Sequence, residues 1–282
     1  MGILMASYRP VSGAHAIEQA VVGVRISGAT TDAVYSTAVV KAAELAAKSG
    51  LPGRVQLDPL SLLFGRQVIS PGYSAAEMTP GTVFQRVEPD GSMAEELTLE
   101  RNAVTFRTHR YKRWADMVAH ITTILSPVAS VLAENNAARV SVVELRCVDR
   151  FVSDTESIPP LSDLVRQDSP YVTGDMIDRE TFLHLHSGWI DDQSDLGRTL
   201  YNLNIEIGMG EHARPNATIL QVISKQSSGK GSLFADGADF ESSVMSTFQD
   251  LHLADKALLS KLLSDRLQAD INLPGSTGLG VT

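Results

Sequence analysis

Apolar positions alternate in some segments of the chain and recur every three to four residues in others, and the change of period separates strands from helices. Residues 16–26 alternate, with Ala20, Val22, Val24 and Ile26 on one face, and predict a strand. Thr31 or Asp32 caps a helix that runs through Lys48, where Gly50 and Pro52 stop it. Residues 55–68 read as extended chain interrupted by Pro59, which belongs at an edge or a bulge because proline donates no ladder hydrogen bond. Three short strands follow. Residues 82–88 end in the turn Pro89-Asp90-Gly91, and residues 95–100 and 103–108 are separated only by Arg101 and Asn102. A two-residue hairpin loop there pairs Leu99 with Val104 and Leu97 with Phe106, keeping all four on one face.

The period then changes. From near Lys112, Trp114, Met117, Val118, Ile121, Leu125, Val128 and Leu132 form a helical stripe that Asn135 and Asn136 end. Pro127 lies inside it and costs about 3 kcal/mol in a helix interior, so a kink or a break is expected there. A strand over 139–152 puts Val143, Leu145, Cys147 and Phe151 on one face and Glu144, Arg146 and Arg150 on the other. Residues 153–173, polar and containing Pro159 and Pro160, read as a linker. Strands over 181–190, 199–209 and 217–226 come next, the middle one with Tyr201, Leu203, Ile205, Ile207 and Met209 inward. After a loop at 227–237, Asp239 caps a helical region that runs to near Asp270, with Phe240, Val244, Phe248, Leu251, Leu258, Leu262 and Leu263 as its core positions. The tail from 274 is expected to be mobile.

This order, β-α-β, then βββ-α-β, then βββ-α, predicts an α+β fold: antiparallel sheets with helices on one face and two βββ-α pseudo-repeats. It divides the chain into an N-terminal half over 1–152, the linker, and a C-terminal half over 174–273.

With 282 residues, 43% of them apolar, the chain can bury a large core, but only 6% are aromatic, so Val, Leu, Ile and Ala must build it. The net charge of −9, from 33 acidic and 24 basic residues, opposes wholesale wrapping of nucleic acid, which draws affinity from neutralising phosphates. A single cysteine, Cys147, makes neither an internal disulfide nor a cysteine-rich metal site, and a reducing cytoplasm is the expected compartment. The opening MGILMASYRP lacks the positive region of a signal peptide, and Ala6 replaces the Ser or Thr of a myristoylation signal. No uncharged apolar run reaches the roughly 18 residues of a membrane span, so no membrane association is expected.

Tyr111 and Trp114 at the helix start, the early strand Ile17-Glu18-Gln19-Ala20-Val21-Val22, and the later strand Glu144-Leu145-Arg146-Cys147-Val148-Asp149-Arg150 together resemble a sporadically distributed family of uncharacterised bacterial proteins. That family shows a Tyr-x-x-Trp helix start followed by a Glu-Leu-Arg-Tyr-Val-Asn-Arg strand, from which Cys147 and Asp149 depart. Leu251 with His252, and the stretch from Leu263 to Leu267, resemble its closing helix. The resemblance spans nearly the whole chain and implies a fold, with Tyr111 and Trp114 anchoring helix to sheet. It implies no activity. Its sporadic distribution suggests accessory roles in phage defence, toxin–antitoxin or chaperone-like systems.

Candidate chemistry is sparse. His184 and His186 fall on one face of a predicted strand, with Glu206 or Asn204 on the next, a set that can begin a divalent-metal site. No HExxH, EF-hand or cysteine cluster accompanies it. Ser227, Ser228, Gly229, Lys230, Gly231 and Ser232 resemble a phosphate loop but carry Ser224 and Gly231 where Gly and Ser or Thr are required. No G-x-S-x-G elbow is present, and Cys147 sits inward as an inert thiol. Arg107, Arg110, Lys112 and Arg113 form the densest basic patch, at a helix start, where cations oppose the helix dipole. With Arg146 and Arg150 they make the expected partner-binding surface. The resulting expectation is a non-catalytic protein without cofactor that binds a protein partner or itself through a sheet face or edge. The alternatives are a metal-dependent enzyme or metal-binding protein using His184, His186 and Glu206, and nucleic-acid binding through the Arg107–Arg113 patch.

Overall fold

The structure, a computed structural model, describes residues 6–28, 30–57, 81–134, 139–177, 182–192, 197–210, 214–227, 231–234 and 238–273. Pro59 and the extended chain after Leu57, the helix end at Asn135 and Asn136, Thr181, the loop residues Gly229 and Lys230, and the tail from 274 lie outside these.

Ten strands pair in a large antiparallel sheet accompanied by several helices, an α+β fold. The strands are β1 (Tyr8–Pro10), β2 (Ile17–Ser27), β3 (Gly53–Leu57), β4 (Gly81–Val87), β5 (Met93–Glu100), β6 (Ala103–Thr108), β7 (Arg139–Ser153), β8 (Leu183–Asp191), β9 (Thr199–Met209) and β10 (Pro215–Gln226). The main helices are α1 (Asp32–Lys48), α2 (Trp114–Ala133) and, after the short α3 (Leu161–Leu164) and α4 (Gly174–Ile177), α5 (Phe240–Leu262) and α6 (Asp265–Asp270).

The chain forms two compact units. Unit 1 comprises Met1–Ala20, Leu145–Ser224 and Gln249–Thr282, and unit 2 comprises Val21–Glu144 and Lys225–Phe248. Both expected halves, 1–152 and 174–273, therefore contribute to both units.

In unit 2, β3, β4, β5 and β6 pair antiparallel in chain order. The β5–β6 hairpin has the register its loop length predicts: Leu97 faces Phe106, Leu99 faces Val104, and all four are fully buried. Thr31, not Asp32, caps α1, its hydroxyl accepting a hydrogen bond from the Val34 N–H at 3.3 Å. Ala38, Ala42 and Ala46 form the buried stripe of α1, and their small size lets α1 lie close against the second half of α2.

Pro127 neither breaks nor ends α2. The turn before it, Ile121–Leu125, widens to a π-turn, and the Ser126 N–H reaches back to the Ile121 carbonyl. The wider turn relieves the clash between the proline ring and the carbonyl four residues earlier. By length and composition α2 can cross a membrane, which the uncharged-run count did not anticipate. Its apolar stripe, Met117, Ile121, Ile124, Leu125, Val128 and Leu132, is buried within the protein, as in a core helix.

In unit 1, β1 pairs with the end of β7, and β8 pairs with β9 along nine residues without a bulge. The core gathers Tyr8, Phe151, Leu203, Ile205, Ile207, Ile219, Leu258, Leu262 and Leu267. Residues 153–173, expected as a linker, supply Leu161, Leu164, Val165 and Val172 to this core. The expected single helix to Asp270 is two pieces. Leu263 leaves α5 to bridge Val165, the Ser264 N–H donates to the Leu164 carbonyl at 2.9 Å, and the Ser264 hydroxyl caps α6.

Candidate functional site

The alternation of β8 turns His184 and His186 outward, and both are exposed. The register sets His184 opposite Glu206 and His186 opposite Asn204 on β9, as the spacing predicts. Two imidazoles and one carboxylate thus share a face, but among the described residues no three His, Cys, Asp or Glu side chains converge as a metal site.

The basic surface is paired internally. Arg107 lies 4.0 Å from Glu96, Arg110 2.8 Å from Glu88, Arg113 3.2 Å from Asp116, and Arg150 2.8 Å from Glu18. Asp116 in the first turn of α2 also offsets the cation placed at that helix start. Lys112 is exposed, and Arg146 stands on the same face of β7 as Arg150. With three of the four cations at the start of α2 next to a carboxylate, this patch projects little positive field of the kind that draws in nucleic acid.

A different group of residues converges in unit 1. Three apolar patterns each carry a polar residue at an inward position that meets the others. On β7 it is Asp149, between Cys147 and Phe151; on β10 it is Gln221, between Ile219 and Ile223; on α5 it is Asp255, in the stripe Leu251, Asp255, Leu258, Leu262. All three are buried, at 1%, 1% and 3% exposure, and Cys147 and His252 are buried beside them. Cys147 and Asp149 thus both point into this cluster.

Its electrostatics follow from dryness. Burial pushes the Asp149 carboxyl up to about 7, opposed only by the neighbouring Gln221 amide. Burial, then the charge of Asp149, pushes Asp255 up to about 8, while a hydrogen bond with Cys147 and the charge of Lys256 act the other way. The Cys147 thiol rises well above its ordinary value through burial and the two acids, so no reactive thiolate forms there. Burial drops His252 to about 4 and keeps it neutral. Asp149 Oδ2, Asp255 Oδ1 and both polar atoms of Gln221 have no hydrogen bond of normal geometry within the protein. The buried acids have the proton affinity of catalytic carboxyls, yet they lie shut inside the core, away from any substrate. What they can do chemically is hold a proton.

The sequence carries a weak signal for this cluster. The helical stripe reads Leu251 then Leu258, leaving 255 as a polar gap, and the β7 alternation skips 149 in the same way.

No protein-family model matches the chain, and none of the curated proteins matches it. The surface of unit 1 must therefore be read on its own geometry. β8 ends the strand order, so among the described residues one of its edges pairs with no strand. On its other side Trp189 stacks on its cross-strand partner Tyr201 at 5.1 Å and on Tyr171 at 5.5 Å. Ile190 and the preceding Phe182 are exposed large apolar side chains at the two ends of this strand.

Proposed function

We propose that this chain is a non-catalytic binding protein that adds an extended segment of another protein chain, or of a second copy, to the free edge of β8. The observation that carries the reading is the edge itself. β8 offers nine residues without proline, lysine or a bulge, the devices by which proteins ordinarily protect such an edge. Main-chain groups along it supply affinity, and alternate side chains supply selectivity. The stacked Tyr171, Trp189 and Tyr201 support this by holding the strand in place before binding, which lowers the ordering cost. The reading keeps the accessory roles in bacterial systems that the family resemblance suggests. It also takes β4-β5-β6-α2 and β8-β9-β10-α5 as two βββ-α repeats, a view supported by their identical chain order.

The test compares the wild-type chain with His186→Lys/Ile190→Lys, which places charge along β8 at two outward positions. Sedimentation velocity reads self-association, and selection from a displayed library of extended peptides reads binding of other chains. The expected result is that one of the two detects binding and that the variant weakens it at least ~10-fold, about 1.4 kcal/mol. Equal behaviour of the two proteins in both measurements refutes the proposal.

A further inference from the structure

We propose that Asp149 and Asp255 stay protonated in the folded protein and that these protons are a latch: they keep the C-terminal part of α5 seated on β7 and β10, and their departure loosens that helix and uncovers Cys147. The inference is independent of the strand-edge reading. It starts from placement. Asp255 occupies a buried position of α5, and Asp149 and Gln221 occupy inward positions of β7 and β10, whose Phe151 and Ile219 share one core with Leu258 and Leu262 of α5.

Among the described residues neither acid forms an ion pair with a cation. The charged or titratable groups acting on the pair are Cys147 from β7 and Lys256 from α5; Gln221 from β10 is polar and does not titrate. His252, one turn before Asp255 on α5, carries no charge at neutral pH. Two carboxylates close enough to raise one another cannot both ionise in a dry interior without a counter-ion. Because the charge of Asp149 acts on Asp255, the two acids titrate as a coupled pair. With neither proton retained, two negative charges face each other across the seat of α5, and separating helix from strands is the available relief.

The direction with pH follows. In the unfolded chain both acids lose their protons near pH 4, whereas in the folded chain they keep them until about 7 and about 8. The folded state therefore binds more protons between these limits, and the latch weakens as pH rises through them. Cys147, buried beside Asp255 and the chain's one cysteine, reports the opening.

The experiment measures thermal midpoints and the labelling rate of Cys147 by a thiol reagent, from about pH 6 to about pH 9, in wild type, Asp149→Asn and Asp255→Asn. Asparagine keeps the shape of a protonated carboxyl, so both variants retain the seat. The expected result is a wild-type midpoint that falls below that of the variants by about 5–10 °C as pH rises. The ratio of wild-type to Asp255→Asn labelling should also grow at least ~10-fold, the common rise in thiolate cancelling in that ratio. A constant ratio, or parallel midpoints, overturns the proposal. If both variants fail to fold, the infrared carbonyl band of a buried protonated carboxyl decides on wild type alone: it is present near neutrality and lost on alkalinisation if the latch exists, and absent throughout if it does not. A midpoint raised by millimolar magnesium or calcium in wild type but not in the variants also overturns it, because the pair would then hold a metal cation.

Discussion

Glu95 and Asp149 occupy equivalent situations in the two units, an acid on the inward face of a strand among fully buried apolar neighbours, and their surroundings answer that situation in opposite ways. Glu95 shares its face with Leu97 and Leu99 on β5. Arg86, directly opposite on β4, reaches its Oε2 at 3.0 Å, and the His120 Nε2 lies 3.5 Å from its Oε1. Arg86 also donates to the Ser49 and Gly50 carbonyls at 2.9 and 2.8 Å, so the same guanidinium neutralises the acid and closes the end of α1. His120 is fixed in turn by stacking on Phe106 at 4.4 Å. Burial lowers its proton affinity ahead of the opposing pull of Glu95, which leaves Arg86 as the permanent cation of the group. Asp149 meets a second acid, a thiol and an amide instead. A buried carboxylate with a fixed cation is braced by that charge, whereas one without a cation depends on a proton that solvent pH can remove.

The largest expected effect comes from turning the first arrangement into the second. Arg86→Met strips Glu95 of its cation and leaves the α1 carbonyls open, and should cost about 3–5 kcal/mol in urea unfolding at neutral pH. Glu95→Gln on that background should recover part of the loss. If Arg86→Met costs less than about 1 kcal/mol, the ion pair is not what secures this acid.

The converse change should stabilise. Asp255→Asn removes the group that costs most to ionise in the folded state. Near pH 4 it should be close to neutral, and at pH 8 it should raise unfolding stability by about 2–4 kcal/mol, less than the full rise to about 8 implies because the titrations of the two acids are coupled. A gain equal at both pH values would locate the effect in packing and leave the contrast between the two acids unexplained.

The elements that were legible in the sequence are those whose determinants are local. The β5–β6 register follows from a two-residue loop between alternating strands, the start of α1 from Thr31, and the His184–Glu206 pairing from strand spacing alone. What escaped depended on distant partners. The end of α5 at Leu262 is set by Val165 and Leu164, about a hundred residues away along the chain, and the passage of α2 through Pro127 by a widened turn that no periodicity encodes. The acid cluster is the sharpest case. Each of Asp149, Gln221 and Asp255 reads singly as a flaw in an apolar stripe, and only the fold shows that the three flaws meet. The basic residues at the start of α2 misled in the reverse sense: they are dense in sequence, but Glu88, Glu96 and Asp116 come to them in space.

The smallest expected effect isolates burial as the variable. Arg113 and Asp116 lie 3.2 Å apart, nearly the separation of Arg86 and Glu95, with side-chain exposures of 75% and 44% against 32% and 7%. At the surface, water already solvates both ions, and holding two long side chains in one geometry offsets most of the Coulomb gain. Arg113→Ala should therefore shift unfolding stability by less than about 0.5 kcal/mol, and added salt should erase even that. The two pairs share charge type and distance, so the ratio of their effects measures what removal from water does to an ion pair in this protein. An Arg113→Ala loss comparable to that of Arg86→Met would show that geometry, and not burial, sets the strength of these pairs, and would undo the contrast drawn between Glu95 and Asp149.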